Sequence, residues 1–234
     1  MKKDKLYVLG DSIARGVLFD DKTNAYTLCR NTFDTLLRST GVKVFNYSKM
    51  GMTSSDALHM IQKCPSDENA VAAIEFGGND SDLNWDAVAA SPDIYHEAAV
   101  SIETYEENIK RLVSEVRSLG MHPVIVTPLP LSADKFFRFI TQNRDKNAVM
   151  AYLKSEQSIY RWQERYALAA IRASHDASCP LLDLRSLFLN HLDFDALIGP
   201  DGMHPTEKGY QVISQAVLNA WQNGITQYRI SIVS

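Results

Sequence analysis

The sequence predicts an α/β fold in which a parallel sheet is covered by helices on both faces. Three observations carry this expectation. Five short, apolar, β-rich runs recur along the 234 residues. Longer segments with helical periodicity separate them, and strand–helix alternation with right-handed crossovers builds a parallel sheet. No repeat, low-complexity tract or linker interrupts the pattern, and 45% hydrophobic residues over this length supply one sizeable core, so one domain over 1–234 is expected.

In order, the first run is Lys5–Leu9, which breaks at Gly10-Asp11-Ser12-Ile13. Lys43–Tyr47 follows, and Thr53, three residues ahead of Asp56, reads as the cap of the next helix. Val71–Phe76 is the third run; Asp80–Pro92, which holds Trp85, reads as a loop after it. Ile102, Tyr105, Ile109, Leu112, Val113, Val116 and Leu119 share one helical face, and Gly120 stops that helix. Pro123–Thr127 is the fourth run. Leu131–Asn147, with Phe136, Phe137 and Phe139 among charges, has no clean period and reads as a loop bordering the ligand crevice. Ala148 to about Ala177 contains no Gly or Pro and reads as one long helix. Cys179–Leu184 is the fifth run, and Tyr210, Ile213, Val217 and Trp221 mark a last helix.

A net charge of -4 offers no basic footprint, so neither nucleic acid nor an anionic membrane is an expected partner. No apolar stretch approaches the ~20 residues of a membrane span. Cys29, Cys64 and Cys179 are odd in number and lack metal-type spacing. They fit reduced thiols, and with no secretion signal at the start they favour the cytosol. His191, Asp193 and Asp195 read as an alternating loop or edge segment rather than a metal cluster, and no cofactor is expected.

The chemistry sits at the strand ends, where open α/β sheets bind ligands. Ser12 is a small nucleophile at the end of the first run. Gly51 lies just outside a helix start, where its unhindered N–H suits an oxyanion donor as well as a simple turn. Gly77-Gly78 turn the chain so that Asn79 presents an amide, a neutral donor for a developing oxyanion. His204 precedes Pro205 and is therefore extended, with Asp201 three residues back to orient it. A serine, a base, a carboxylate and oxyanion donors on separate segments are the parts of an acyl-transfer site.

Together these segments resemble the SGNH, or GDSL-type, hydrolase family: Gly10-Asp11-Ser12-Ile13 looks like its first block, Gly51 its second, Gly77-Gly78-Asn79-Asp80 its third and Asp201-Gly202-Met203-His204-Pro205 its last. The similarity runs from Leu6 to about Trp221, with Ile13 where the common tetrad has Leu. It implies a three-layer α/β/α, five-stranded, flavodoxin-like fold and metal-free ester hydrolysis. Ser12 would be the nucleophile, His204 the base and Asp201 its orienter. The Ser12 and Gly51 N–H groups and the Asn79 side chain would form the oxyanion hole.

The expected activity is a serine esterase for short-chain esters, acetylated sugars among them, with Trp85, Phe136 and Phe137 on the substrate wall. Lysophospholipid or thioester cleavage, acyl transfer on the same residues, and a non-catalytic carbohydrate-binding protein on this fold are the alternatives. The oligomeric state is open.

Overall fold

A computed structural model describes residues 3–225, so residues 1–2 and 226–234 of the expected single domain lie outside the described residues. The elements run β1 (Lys5–Gly10), α1 (Ser12–Arg15), β2 (Val17–Asp20), β3 (Ala25–Leu28), α2 (Phe33–Ser39), β4 (Lys43–Asn46), α3 (Ser54–Met60), β5 (Ala70–Glu75) and α4 (Trp85–Ala90). They continue with α5 (Ile102–Ser118), β6 (His122–Val126), α6 (Ala133–Ile140), α7 (Lys146–Leu153), α8 (Gln157–Asp176), β7 (Leu181–Leu182), α9 (Leu184–Leu189) and α10 (Glu207–Gln222).

The five expected runs form one parallel sheet in the order β4-β1-β5-β6-β7. Numbered within the sheet alone this is 2-1-3-4-5, the flavodoxin-like order, whose switch point falls between β1 and β5. Period-2 alternation divides the core into two layers. Tyr7 and Leu9 of β1 face a cluster with Ile109, Leu112 and Val116 of α5 and Tyr166 of α8. Leu6 and Val8 face the other, with Leu37 of α2, Phe188 of α9 and Ile213 of α10. The architecture is therefore three-layered, and the strand ends open beside the switch point.

Four local expectations are corrected. The stretch read as one helix from Ala148 to Ala177 is two helices, parted at Lys154, which takes a left-handed φ of 62°. Propensity favoured continuity, but α7 packs on α4 while α8 packs on α5, and tertiary packing overrides propensity. Leu131–Asn147 is not structureless: it holds α6, whose Phe136, Phe137 and Ile140 are buried on one face. The Asp80–Pro92 loop holds α4. The fifth run shrinks to Leu181–Leu182, a short edge strand.

The β2–β3 hairpin was not anticipated, nor was the short helix α9 after β7. β2 and β3 form an antiparallel hairpin with Phe19 opposite Tyr26. Val17-Leu18-Phe19 and Tyr26-Thr27-Leu28, separated by a polar turn with Asn24 at φ 50°, carry the usual hairpin signal.

Candidate active site

β1 delivers Ser12 to the sheet top. Asp11 Oδ1 accepts the Ile13 N–H at 2.8 Å, which caps α1 and fixes the turn that carries the serine. From the far end of the chain, the segment before α10 brings His204 above it. His204 Nδ1 lies 2.6 Å from Asp201 Oδ2, and a carboxylate only accepts, so Nδ1 bears the hydrogen. Nε2 is then an acceptor for the Ser12 hydroxyl at 2.8 Å. Asp201 Oδ1 also takes the N–H groups of Met203 and His204, both at 3.1 Å, and is wholly buried. In this arrangement Nε2 can withdraw the serine proton while Asp201 holds the ring.

Gly202 makes the loop possible. At φ 76° it hugs α6, and a Cβ there would stand 2.2 Å from Phe136 N and 2.7 Å from Ser132 O. The Gly202 carbonyl in turn accepts the Ser132 N–H at 2.9 Å, so the loop that carries Asp201 and His204 is pinned to the start of α6.

The expected oxyanion donors lie on the turns that follow β1, β4 and β5. Gly51 takes φ 77° with open space on its Cβ side, and neither its N–H nor that of Ser12 donates to another group among the described residues. Asn79 differs: its amide donates to Met52 O at 3.1 Å and to Asp11 Oδ2 at 3.3 Å. Both bonds engage the amide hydrogens that an oxyanion would need.

Below these groups lie three buried carboxylates. Burial pushes Asp11 up, and burial followed by the Asp11 charge pushes Glu75 well above the carboxylate range, so Glu75 is the partner that keeps its proton. Asp80 is pushed up to about 6 by burial, against hydrogen bonds from Ser54 N at 2.9 Å and Ser54 Oγ at 2.5 Å.

The hairpin closes one side. Tyr26 sets its ring edge-on to His204, centroids 5.3 Å apart, while Phe19 packs on Phe139 of α6. Burial, then the charges of Asp201 and Asp82, push the Tyr26 phenol up to about 12, so it stays neutral.

On the other side a cavity of about 340 Å³ begins at Gly78 and Met203, the neighbours of Asn79 and His204. Trp85 and Phe136 line it, in edge-to-face contact at 6.0 Å. Phe137 does not: it is 1% exposed and packed in the core, because the i+1 position of a helix faces away from its neighbour. Sequence reasoning missed Trp162, Tyr152 and Asp82 on the same wall. Asp82 follows the Asn79 motif closely enough to have been singled out; Trp162 is placed there only by the packing of α8. Asp193 and Asp195 lie beside Lys208 and Lys135, and no cluster suited to a metal ion occurs among the described residues.

A family model for the GDSL-like lipase/acylhydrolases matches residues 6–217. An isoamyl acetate-hydrolyzing esterase of Saccharomyces cerevisiae is 21% identical over 97% of this chain and 90% of its own length. Among solved structures, a lipase/acylhydrolase from Enterococcus faecalis superposes with a TM-score of 0.63 at 17% identity, covering 94% of this chain and 96% of that one. A catalytic mutant of an acetylxylan esterase from Geobacillus stearothermophilus gives 0.63 at 18% identity over 97% of each chain.

Proposed function

Since the chain belongs to the GDSL-like lipase/acylhydrolase family, we propose that it hydrolyses carboxylic esters of short acyl groups through an acyl-enzyme on Ser12. The observation that carries this is the hydrogen-bonded series Ser12–His204–Asp201. Ser12 Oγ attacks the ester carbonyl as His204 Nε2 takes its proton. The oxyanion that forms is met by the Ser12 and Gly51 N–H groups and by the Asn79 amide, whose 3.3 Å contact to Asp11 is long enough to be exchanged for it.

Collapse expels the alkoxide, which leaves with the proton held by His204. Water then attacks the acyl group, gives a proton to His204, and the carboxylic acid departs as Ser12 regains its hydrogen. The two relatives named for acetyl esters support a short acyl group. Trp85 and Phe136 form part of the substrate wall. No helix of the described residues is long and apolar enough to cross a membrane, and the unpaired Cys29, Cys64 and Cys179 support a place in the cytosol.

The test is Ser12→Ala assayed on acyl esters of graded chain length, beside covalent labelling of the wild type by a fluorophosphonate. Loss of turnover by about 10⁶ is expected. Absence of labelling, or retention of more than about a tenth of the activity, far outside that scale, would overturn the assignment.

A further inference from the structure

The cavity beside His204 has a chemistry of its own. Five aromatic side chains, Trp85, Tyr95, Phe136, Tyr152 and Trp162, stand around one carboxylate, Asp82. The polar handles of both indoles are used up inside the protein: Trp162 Nε1 donates to Ser81 O and Trp85 Nε1 to Asp82 Oδ1, each at 2.8 Å. Gln163, deeper in, spends its amide on Leu129 O and its carbonyl on Arg185. A sugar, with hydroxyls on every side, would find few partners here.

Asp82 is different. Its Oδ1 accepts Trp85 Nε1 and Leu83 N, whereas Oδ2 receives no hydrogen bond from the described residues. Burial pushes this carboxyl up, against the hydrogen bonds from Trp85 and Leu83 and the charge of Arg144, with which it makes no ion pair. The neighbouring cations are committed elsewhere. Arg144 grips Asp86 with two bonds of 2.7 and 3.1 Å, Arg185 is paired with Glu164, and Arg165 lies on the Trp162 ring without lining the cavity.

A carboxylate with one oxygen open and no ion pair among the described residues, set among aromatic faces, is an environment that favours an organic cation. We propose that this cavity is a cation subsite, which holds the ammonium or quaternary ammonium group of the substrate's alcohol portion against Asp82 and the aromatic walls while Ser12 takes the acyl group. This rests on the esterase reading above for the position of the acyl group, and on the cavity alone for the cation.

Two acetyl esters of nearly equal shape test it: acetylcholine and its neutral carbon isostere 3,3-dimethylbutyl acetate. Aromatic contacts to a cation correspond to about 2- to 30-fold in binding, so the kcat/KM ratio of charged to neutral ester is expected to be about 10 in the wild type. In Asp82→Asn, which keeps the Oδ1 acceptor for Trp85 and Leu83, that ratio should fall several-fold. Intrinsic reactivities of the two esters cancel in the comparison. A wild-type ratio at or below one, or a ratio unmoved by the substitution, would overturn the subsite.

A binding measurement separates this from the catalytic assignment. Tetramethylammonium titrated into Ser12→Ala should change the fluorescence of Trp85 and Trp162 saturably, tert-butanol should not, and Asp82→Asn should weaken the response. A saturable response in Ser12→Ala, with a wild type that takes no fluorophosphonate, would leave the subsite standing and remove the esterase. No response in Ser12→Ala, with a wild type that does label, would do the reverse.

Discussion

Asp80 sits with no exposed surface at the base of the site, held by Ser54 through N and Oγ, while its Oδ2 has no partner. An ordinary aspartate titrates near 4 in an unfolded chain, whereas this one is pushed up to about 6 by burial. Between those values the folded chain binds more protons, so this residue's contribution to stability is complete below about 4 and is lost as pH rises through about 6. Replacing Asp80 with Asn, which keeps an oxygen for Ser54, should raise stability near neutral pH relative to acid pH. Urea midpoints of wild type and variant across that interval give the difference; parallel curves would mean that the carboxyl titrates normally. Ser12, Asn79, Asp201 and His204 stood out in the sequence as candidates because a glycine or proline lies within two residues of each and announces a turn, and Gly51 because it is itself such a glycine. Tyr26 and Trp162 did not: a tyrosine in a short alternating run and a tryptophan within a long helical stretch look ordinary until the hairpin and cavity are assembled around them.

Among the elements, the sheet strands were readable as five apolar runs, and α5 as a seven-residue apolar face, because both are deeply buried and strongly periodic. The stretch from Leu131 to Asp176 was misread at both ends for opposite reasons. α6 is eight residues long, too short for its period to show among Asp134, Lys135 and Arg138. Between α7 and α8 the propensity is helical, and only packing on two different partners forces the break. Lys154 bears the strain of that break at φ 62°, in a region that costs a residue with a Cβ about 1–2 kcal/mol. Lys154→Gly relieves the strain but adds freedom to the unfolded chain, so a net gain of about 0.5–1 kcal/mol is expected. A higher urea midpoint at unchanged slope would bear it out. A loss would show that Lys154 contributes more through its side chain than its backbone costs.

At the scale of the molecule, the switch point of the sheet explains why the candidate residues meet. β1 and β5 are neighbours whose following turns carry Ser12 and Asn79, and the third participant arrives from the opposite end of the chain. α10, which follows His204, packs on α2, and Tyr210 donates to Val17 O at 2.8 Å. The Ser12–His204 bond spans 192 residues, so its closure carries a large loop-entropy cost before it brings any stabilisation. On refolding from urea, helical circular dichroism should therefore return before the protein regains reactivity toward a fluorophosphonate; simultaneous recovery would place the two chain ends together early. The same separation bears on biosynthesis. A nascent chain emerging from the ribosome carries Ser12 early but lacks the imidazole that meets it until residues 201–204 have been added and docked on α6. On the proposed mechanism, every unfinished copy would therefore be unable to hydrolyse an ester.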